Sequence, residues 1–292
     1  LWLGRDHYQV GYHQTATAGA FGATLGACRL LALNPVQVRH ALGLCASMAS
    51  GIKAQFGTMA KPLNAGLAAR TGVEAALWAR AGMTAAHDGL AGPLGFGPTH
   101  HGQGDKVELP AAAWRINTIS HKFHACCHGL HAMLEALRET TTGPDQIEAI
   151  QIRTHPRWMS VCNITAPLTG LAAKFSYGQT AAMALMGHDT GAIDSFTDAL
   201  ARDPEIIALR DRVQVREDMR LSETQSEVSI VLADGKIERL RHDLMTPMTL
   251  ELRAQKLRGK AAALLGVRHA ETLWGTAQGK SLRGFTDQLV IS

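Results

Sequence analysis

Between about residues 15 and 85 the chain is dense in Ala, Gly and Leu, and small residues recur at helical spacing, as at Ala18, Gly22 and Gly26. Small side chains on a helical stripe let neighbouring helix axes approach closely, so this stretch is predicted to be several tightly packed helices. Asn34 followed by Pro35 is an N-cap with Pro at the first helical position, opening a helix that runs to about Met48. A further helix is expected from near Leu63 to Arg80, stopping at Gly82. Residues 88–105 (DGLAGPLGFGPTHHGQGD) form a Gly/Pro-rich stretch. No strand precedes its glycines and no GK[ST] follows them, so it is read as a connecting loop rather than a phosphate cradle.

Beyond Lys122 the pattern changes. A helix is expected over 128–140, ending in Thr-rich sequence and Gly143-Pro144. IEAIQIRTH then alternates apolar and polar residues as a half-buried strand does. LAAKFSYGQTAAMALMG and the stretch from Asp203-Pro204 to Arg212 are two more helices, with Met183 and Met186 as core residues. VQVRE is a strand, and SEVSIVLADGKIERLR is a hairpin turning at Asp234-Gly235. From Thr249 the pattern is helical again. The fold class is therefore mainly α with an α+β part: a helical domain over 1–118 and 249–292, and an α+β domain over 119–248.

The chain has 29 basic and 25 acidic residues, a net charge of +4, spread along its length. Without a run of Lys and Arg interleaved with aromatics, no nucleic-acid partner is expected. No apolar run reaches the roughly 18 residues of a membrane span, and no signal-peptide pattern opens the chain. Five cysteines (Cys28, Cys45, Cys126, Cys127 and Cys162) do not resemble a disulfide framework, which favours a reducing, cytoplasmic setting. The sequence opens at LWLGRDHYQV without an initiating Met, as a piece of a longer polypeptide would.

Chemistry-bearing side chains stand where the backbone is expected to turn: His13 in GYHQTATAG, Lys61 in GTMAKPLNAG, and Lys122 and His131 in HKFHACCHGLHA. Ammonium groups beside imidazoles suit a multiply carboxylated substrate and a proton transfer on it. By residue type alone, His13 is as consistent with capping the next helix as with catalysis. Lys61 precedes Pro62, at the expected positive end of a helix dipole, where a cation is disfavoured unless an anion lies opposite; otherwise it reads as a solvated lysine. The cluster His121, His124, Cys126, Cys127, His128 and His131 invites a metal reading. Against it stand Lys122 inside the cluster, the poor arrangement of adjacent cysteines for one tetrahedral ion, and the lack of a second ligand group elsewhere. No metal site and no cofactor are assigned. Lys174 and Ser176 in AAKFS suit either a pocket or a structural role.

Several of these segments resemble blocks of the MmgE/PrpD family. GYHQTATAGAFGATLGACRLLAL is similar to its G-[FY]-H-x-T segment, and TMAKPLNAGLAARTGVEAALWARAGMT contains its K-x-L-x-A-G signature. KFHACCHGLHA is similar to its K-x-x-x-x-C-x-x-x-H block, and AAKFSYGQTAAMAL to its K-F-S segment. The resemblance covers nearly the whole chain in order. The family includes 2-methylcitrate dehydratase, cis-aconitate decarboxylase and iminodisuccinate epimerase, which act without metal on small di- or tricarboxylates beside a carboxylate. It implies a large helical domain with a smaller α+β lid, usually in a homodimer. It also implies catalytic roles for His13, Lys61, Lys122 and His131, and substrate contacts for Lys61, Lys122, Cys127, Lys174 and Ser176. The implied activity is a metal-independent, 2-methylcitrate dehydratase-like lyase; decarboxylation, epimerisation or an inactive truncated member are the alternatives. Asn64 stands where many members have His, and Gln179 where many have Tyr. The family's acidic, His-containing segment upstream of G-[FY]-H is expected to be missing.

Overall fold

Capping chemistry sets the helix boundaries. In the computed structural model, which describes residues 3–102, 119–279 and 281–289, Asn34 opens a helix with a complete capping box. Its side chain accepts from the Gln37 amide (3.0 Å), and the Gln37 side chain accepts from the Asn34 amide (3.1 Å). The chain divides into two units, Leu1–Asn117 and Thr118–Ser292.

The first unit is helical: α1 (Gly4–Val10), α2 (Gln14–Leu30), α3 (Pro35–Met48), α4 (Ala60–Arg80) and the short α5 (Phe96–Thr99). Its core is made of small residues, including Ala16, Ala20 and Thr24 of α2 and Ala68, Gly72, Ala75, Ala76 and Ala79 of α4. At the α2–α4 crossing a Cβ added to Gly72 would lie 2.5 Å from both the Ala23 Cβ and the Thr24 nitrogen, so the two backbones nearly touch. The packing stripe is not the expected one. Ala18, Gly22 and Gly26 lie on the exposed side of α2, and the parallel stripe Ala16–Ala20–Thr24–Cys28 is buried instead. Both stripes repeat every four residues, so spacing alone does not choose between them. The expected loop over 88–102 is turn-rich and interrupted only by α5, whose Phe96 is buried; residues 103–105 lie outside the described residues. His7, fully buried, bonds to the His100 carbonyl (2.7 Å) and the Thr17 hydroxyl (2.8 Å), anchoring that loop.

The second unit mixes helices with one sheet: α6 (His131–Leu137), β1 (Ile147–Thr154), α7 (Arg157–Cys162), α8 (Gly170–Ala173), α9 (Tyr177–Leu185), α10 (Asp198–Ala201), α11 (Pro204–Arg210), β2 (Val213–Glu217), β3 (Gln225–Leu232), β4 (Ile237–Asp243), α12 (Leu250–Leu265), α13 (Val267–Ala277) and α14 (Leu282–Asp287). The strand order is β2-β1-β3-β4. β1 pairs in parallel with β2, with the helices α7 to α11 between them in sequence, and antiparallel with β3. A register shift between Ile147 and Ala149 lets Ile147, Ile150 and Ile152 all face the core. The hairpin turns at Asp234-Gly235 as expected. α6 packs across β3 and β4, and its Leu130-to-Leu137 neighbourhood joins Tyr177, Met183 and the strand isoleucines in one core. Met186 is partly buried against it.

The expected single helix over 171–187 is two. Thr169 caps α8 by accepting from the Ala172 amide, and Ser176 caps α9 by accepting from the Gln179 amide. Two competing N-caps seven residues apart break the run at 174–176. The chain is thus mainly α with an α+β part. Among the described residues no helix is long and apolar enough to cross a membrane.

Candidate active site

In the first unit the turn before α2 and the first turn of α4 meet around one histidine. His13 occupies the N-cap position of α2, but its side chain makes no capping bond. Its backbone N–H donates to the Gly51 carbonyl (2.9 Å), and an isolated bridge joins Tyr12 to Ile52. Gly51 has φ of +146°, and a Cβ there would run into Ala16 and crowd the Asn64 side chain. Only glycine allows that close approach.

The imidazole is held from α4. Asn64, buried, donates from Nδ2 to His13 Nδ1 (3.0 Å). The edge of Phe56 packs on the ring (centroids 5.1 Å), and the Lys61 ammonium lies 4.6 Å from the centre of the same phenyl ring. α4 begins at Ala60, so Lys61 and Pro62 stand in its first turn, at the positive end of a 21-residue helix. Burial, and after it the Lys61 charge, push the His13 pKa below its usual 6.5. His13 is therefore a neutral imidazole at neutral pH. With the Asn64 amide nitrogen at Nδ1, the ring hydrogen sits on Nε2, which is left for chemistry. Turning the amide to present Oδ1 would reverse the tautomer and make Nε2 the base.

In the second unit, Lys122, Cys127, His131, Lys174 and Ser176 gather around the segment 122–127. The Lys122 ammonium donates to the Cys126 carbonyl (3.4 Å), and the Cys127 amide donates to the Lys174 carbonyl (2.9 Å). Ser176 is fully buried, and its hydroxyl caps α9. Cys127 lies against Cys162, and burial pushes the Cys126 thiol up, which keeps that sulfur protonated. His131 is 1% exposed and its Nε2 has no hydrogen-bond partner. Burial first, then His124, His128 and Lys122, drive its pKa down to about 2. It is a neutral imidazole at neutral pH.

Beside it lies a network that sequence reasoning missed. His124 meets the Thr190 hydroxyl through Nδ1 (2.7 Å) and Glu135 through Nε2 (3.2 Å), while Lys256 of α12 donates to the other Glu135 oxygen (2.6 Å). These bonds hold the Glu135 pKa down at about 2 despite its burial. Gln179 is buried, donating to the Leu200 carbonyl (3.2 Å). Among the described residues no group of three or more His, Cys, Asp or Glu side chains is arranged to hold a metal ion. Phe56, Glu135 and Lys256 carry no sequence signal, because only tertiary packing brings them to these groups.

Residues 1–110 match the MmgE/PrpD N-terminal domain and residues 124–278 the MmgE/PrpD C-terminal domain. The chain is 26% identical over 286 residues to human cis-aconitate decarboxylase, covering 90% of this chain and 58% of that protein. It is 29% identical over 183 residues to the mitochondrial 2-methylcitrate dehydratase of Yarrowia lipolytica, covering 53% of this chain and 35% of that protein. To cis-aconitate decarboxylase of Aspergillus terreus it is 32% identical over 145 residues, 46% of this chain and 30% of that protein. Individual alignments thus span between 30% and 58% of these relatives. The match over residues 1–110 does not support the expectation that the family's N-terminal segment is missing.

Proposed function

The chain belongs to the MmgE/PrpD family, and from that premise we propose that it is a cofactor-independent lyase of small tricarboxylates, of the 2-methylcitrate dehydratase type. The observation that carries this reading is the neutral His13, fixed by Asn64 at one nitrogen and standing beside the Lys61 ammonium over Phe56. In the proposed reaction a proton leaves the carbon next to a carboxylate, hydroxide leaves the adjacent carbon, and a carbon–carbon double bond forms with release of water. Lys61 holds a carboxylate and stabilises the negative charge that builds up as the proton departs. His13 accepts that proton at Nε2, with the Asn64 amide turned to present Oδ1 so that Nδ1 carries the ring hydrogen, and then passes it to the departing hydroxide, which leaves as water. Lys122 and Lys174, in the second unit, are further ammonium groups of the kind that binds carboxylates. His131 is assigned a hydrogen-bonding role rather than proton donation, since its burial keeps it neutral.

Decarboxylation of cis-aconitate is the second reading, favoured by the alignment to the human enzyme of that name over 90% of this chain. The same reading carries a homodimer, which light scattering measures. Incubation with 2-methylcitrate, citrate, cis-aconitate and iminodisuccinate, followed by NMR, separates dehydration from decarboxylation and epimerisation. His13→Gln is expected to slow turnover by roughly 100- to 10,000-fold. Lys61→Ala is expected to abolish it with the circular dichroism spectrum unchanged. Consumption of none of the four compounds, or near-normal turnover in Lys61→Ala, would overturn the reading.

A further inference from the structure

α12 carries two lysines one turn apart, Lys256 and Lys260, and their surroundings differ. Lys256 is ion-paired with the buried Glu135. Lys260 extends to the turn at 190–191, where its ammonium donates to the Gly191 carbonyl (2.8 Å). That turn is tied to the segment 122–127. The Ala125 amide donates to the Thr190 carbonyl (2.8 Å), and His124 bonds to the Thr190 hydroxyl. Lys122 closes onto the Cys126 carbonyl, and Lys174 joins the same segment through the Cys127 amide. Lys122 thus belongs to that segment, Lys174 holds its far end by a backbone carbonyl while its ammonium lies over the Phe196 ring (5.2 Å), and Lys260 reaches the turn beside it.

No carboxylate of the described residues lies within ion-pair distance of Lys122, Lys174 or Lys260. Burial pushes the pKa of Lys174 and of Lys260 down, and Lys260 feels the opposing charge of Asp189 and, after it, the charges of Lys174 and Lys122. Like charges gathered in a partly dry place are unfavourable unless an anion joins them. An independent sign of an unfilled polar contact is the buried His131 Nε2, without a partner and close enough to Lys122 to feel its charge.

We propose that Lys260 is a third substrate-binding ammonium, which with Lys122 and Lys174 forms an anion site in the second unit for a compound bearing several carboxylates. The inference rests on the polycarboxylate reading above and extends it to a residue of α12. Each ammonium has three donors, and backbone carbonyls engage one of Lys122 and one of Lys260, leaving donors for a ligand. Three separated positive points match the number of carboxylates in a small tricarboxylate, whereas a monocarboxylate engages only one.

Calorimetric titration of the full 292-residue chain with tricarballylate tests this, because that tricarboxylate lacks the hydroxyl and double bond a lyase would need. Butyrate serves as the monocarboxylate comparator. Lys260→Gln is expected to weaken tricarballylate binding about 10- to 100-fold, the worth of one charged hydrogen bond, with butyrate little changed. Lys260→Arg is expected to restore binding, and Lys236→Gln, on the exposed hairpin turn, to leave it unchanged. Because a variant can misfold, amine acetylation of the wild-type chain is read in parallel by mass spectrometry. Tricarballylate is expected to protect Lys260 and not Lys236. Unchanged affinity in a folded Lys260→Gln, equal loss for both ligands, absent protection of Lys260, or no binding of tricarballylate by the wild type each overturns the inference. A chain that binds tricarballylate through Lys260 yet converts none of the four compounds supports this site while defeating the lyase reading.

Discussion

His13 is governed by a neutral amide on one side and a cation on the other. A carboxylate in place of Asn64 would draw a proton onto the ring; the amide orients the imidazole without charging it. Lys61 then adds an unfavourable charge for the imidazolium. The sign of a substitution follows. Lys61→Ala removes the cation, so the His13 pKa is expected to rise toward 6.5 while staying below it, because burial is the larger cause of the depression. NMR titration of the His13 ring measures this, and a titration curve unmoved by the substitution would disconnect the two residues. His13 and Lys61 were legible in the sequence because each sits beside turn-forming Gly or Pro. Asn64 was visible only as a departure from a pattern; that it grips His13 Nδ1 depends on α4 lying along α2. Lys260 was illegible for a different reason. In KLRGKAAALLG it looks like any solvated lysine on a helix, and only the Glu135–Lys256 pair one turn earlier turns it toward Gly191.

Helices α2 and α4 show how little side chain a tight helix pair needs and how little it tolerates. The Gly72 position faces the α2 backbone, so Gly72→Ala must separate the helices or shift Thr24; overpacking of this kind costs about 1–3 kcal/mol. Gly66, on the same helix, has nothing within 4 Å of an added Cβ. There Gly66→Ala is expected to stabilise by about 0.5–1 kcal/mol through helix propensity alone. Urea denaturation of the two variants checks the contrast, and equal effects would show that the crossing is looser than described. The elements themselves were largely readable: the Asn34 cap, the helix end at Arg80, the hairpin at Asp234-Gly235 and the strands around it. Two features were not. The buried stripe of α2 is offset from Ala18–Gly22–Gly26, because an alanine-rich helix offers similar small-residue rows on more than one side. The break between α8 and α9 hides inside an apolar run, since Ser176 reads as one polar residue until its hydroxyl is seen capping the Gln179 amide. That break is what carries the Lys174 carbonyl to Cys127.

At the scale of the whole molecule, the mixture of helices and a small sheet followed from the change of periodicity after Lys122. The place of α12 did not, since a terminal helical pattern carries no mark of the Glu135 and Gly191 groups it meets. The same tertiary burial that hides such partners makes the protein sensitive to acid. His13, His100, His128 and His131 are all held below their usual pKa, with burial the first cause for each. Well above pH 6.5 these rings are neutral whether the chain is folded or not and contribute little pH dependence. Below it the unfolded chain takes up protons that the native rings refuse, so stability falls as pH falls. For His131 the window is wide, from 6.5 down to about 2. Between pH 6.5 and 5.0 that one ring alone is expected to cost about 2 kcal/mol, at about 1.4 kcal/mol per pH unit. Glu135 adds to the loss only below its unfolded value of 4.5, where the unfolded carboxyl takes up a proton that the native one, bonded to His124 and Lys256, refuses down to about 2. The two effects are therefore separable by pH. Urea unfolding at pH 8.0, 6.5 and 5.0 is expected to show a shallow upper interval and a steep lower one, and His131→Gln is expected to flatten the lower interval by about 2 kcal/mol. A lower interval just as steep in that variant would mean that His131 accepts a proton without unfolding the second unit, and that its orphaned Nε2 is more accessible than its burial implies.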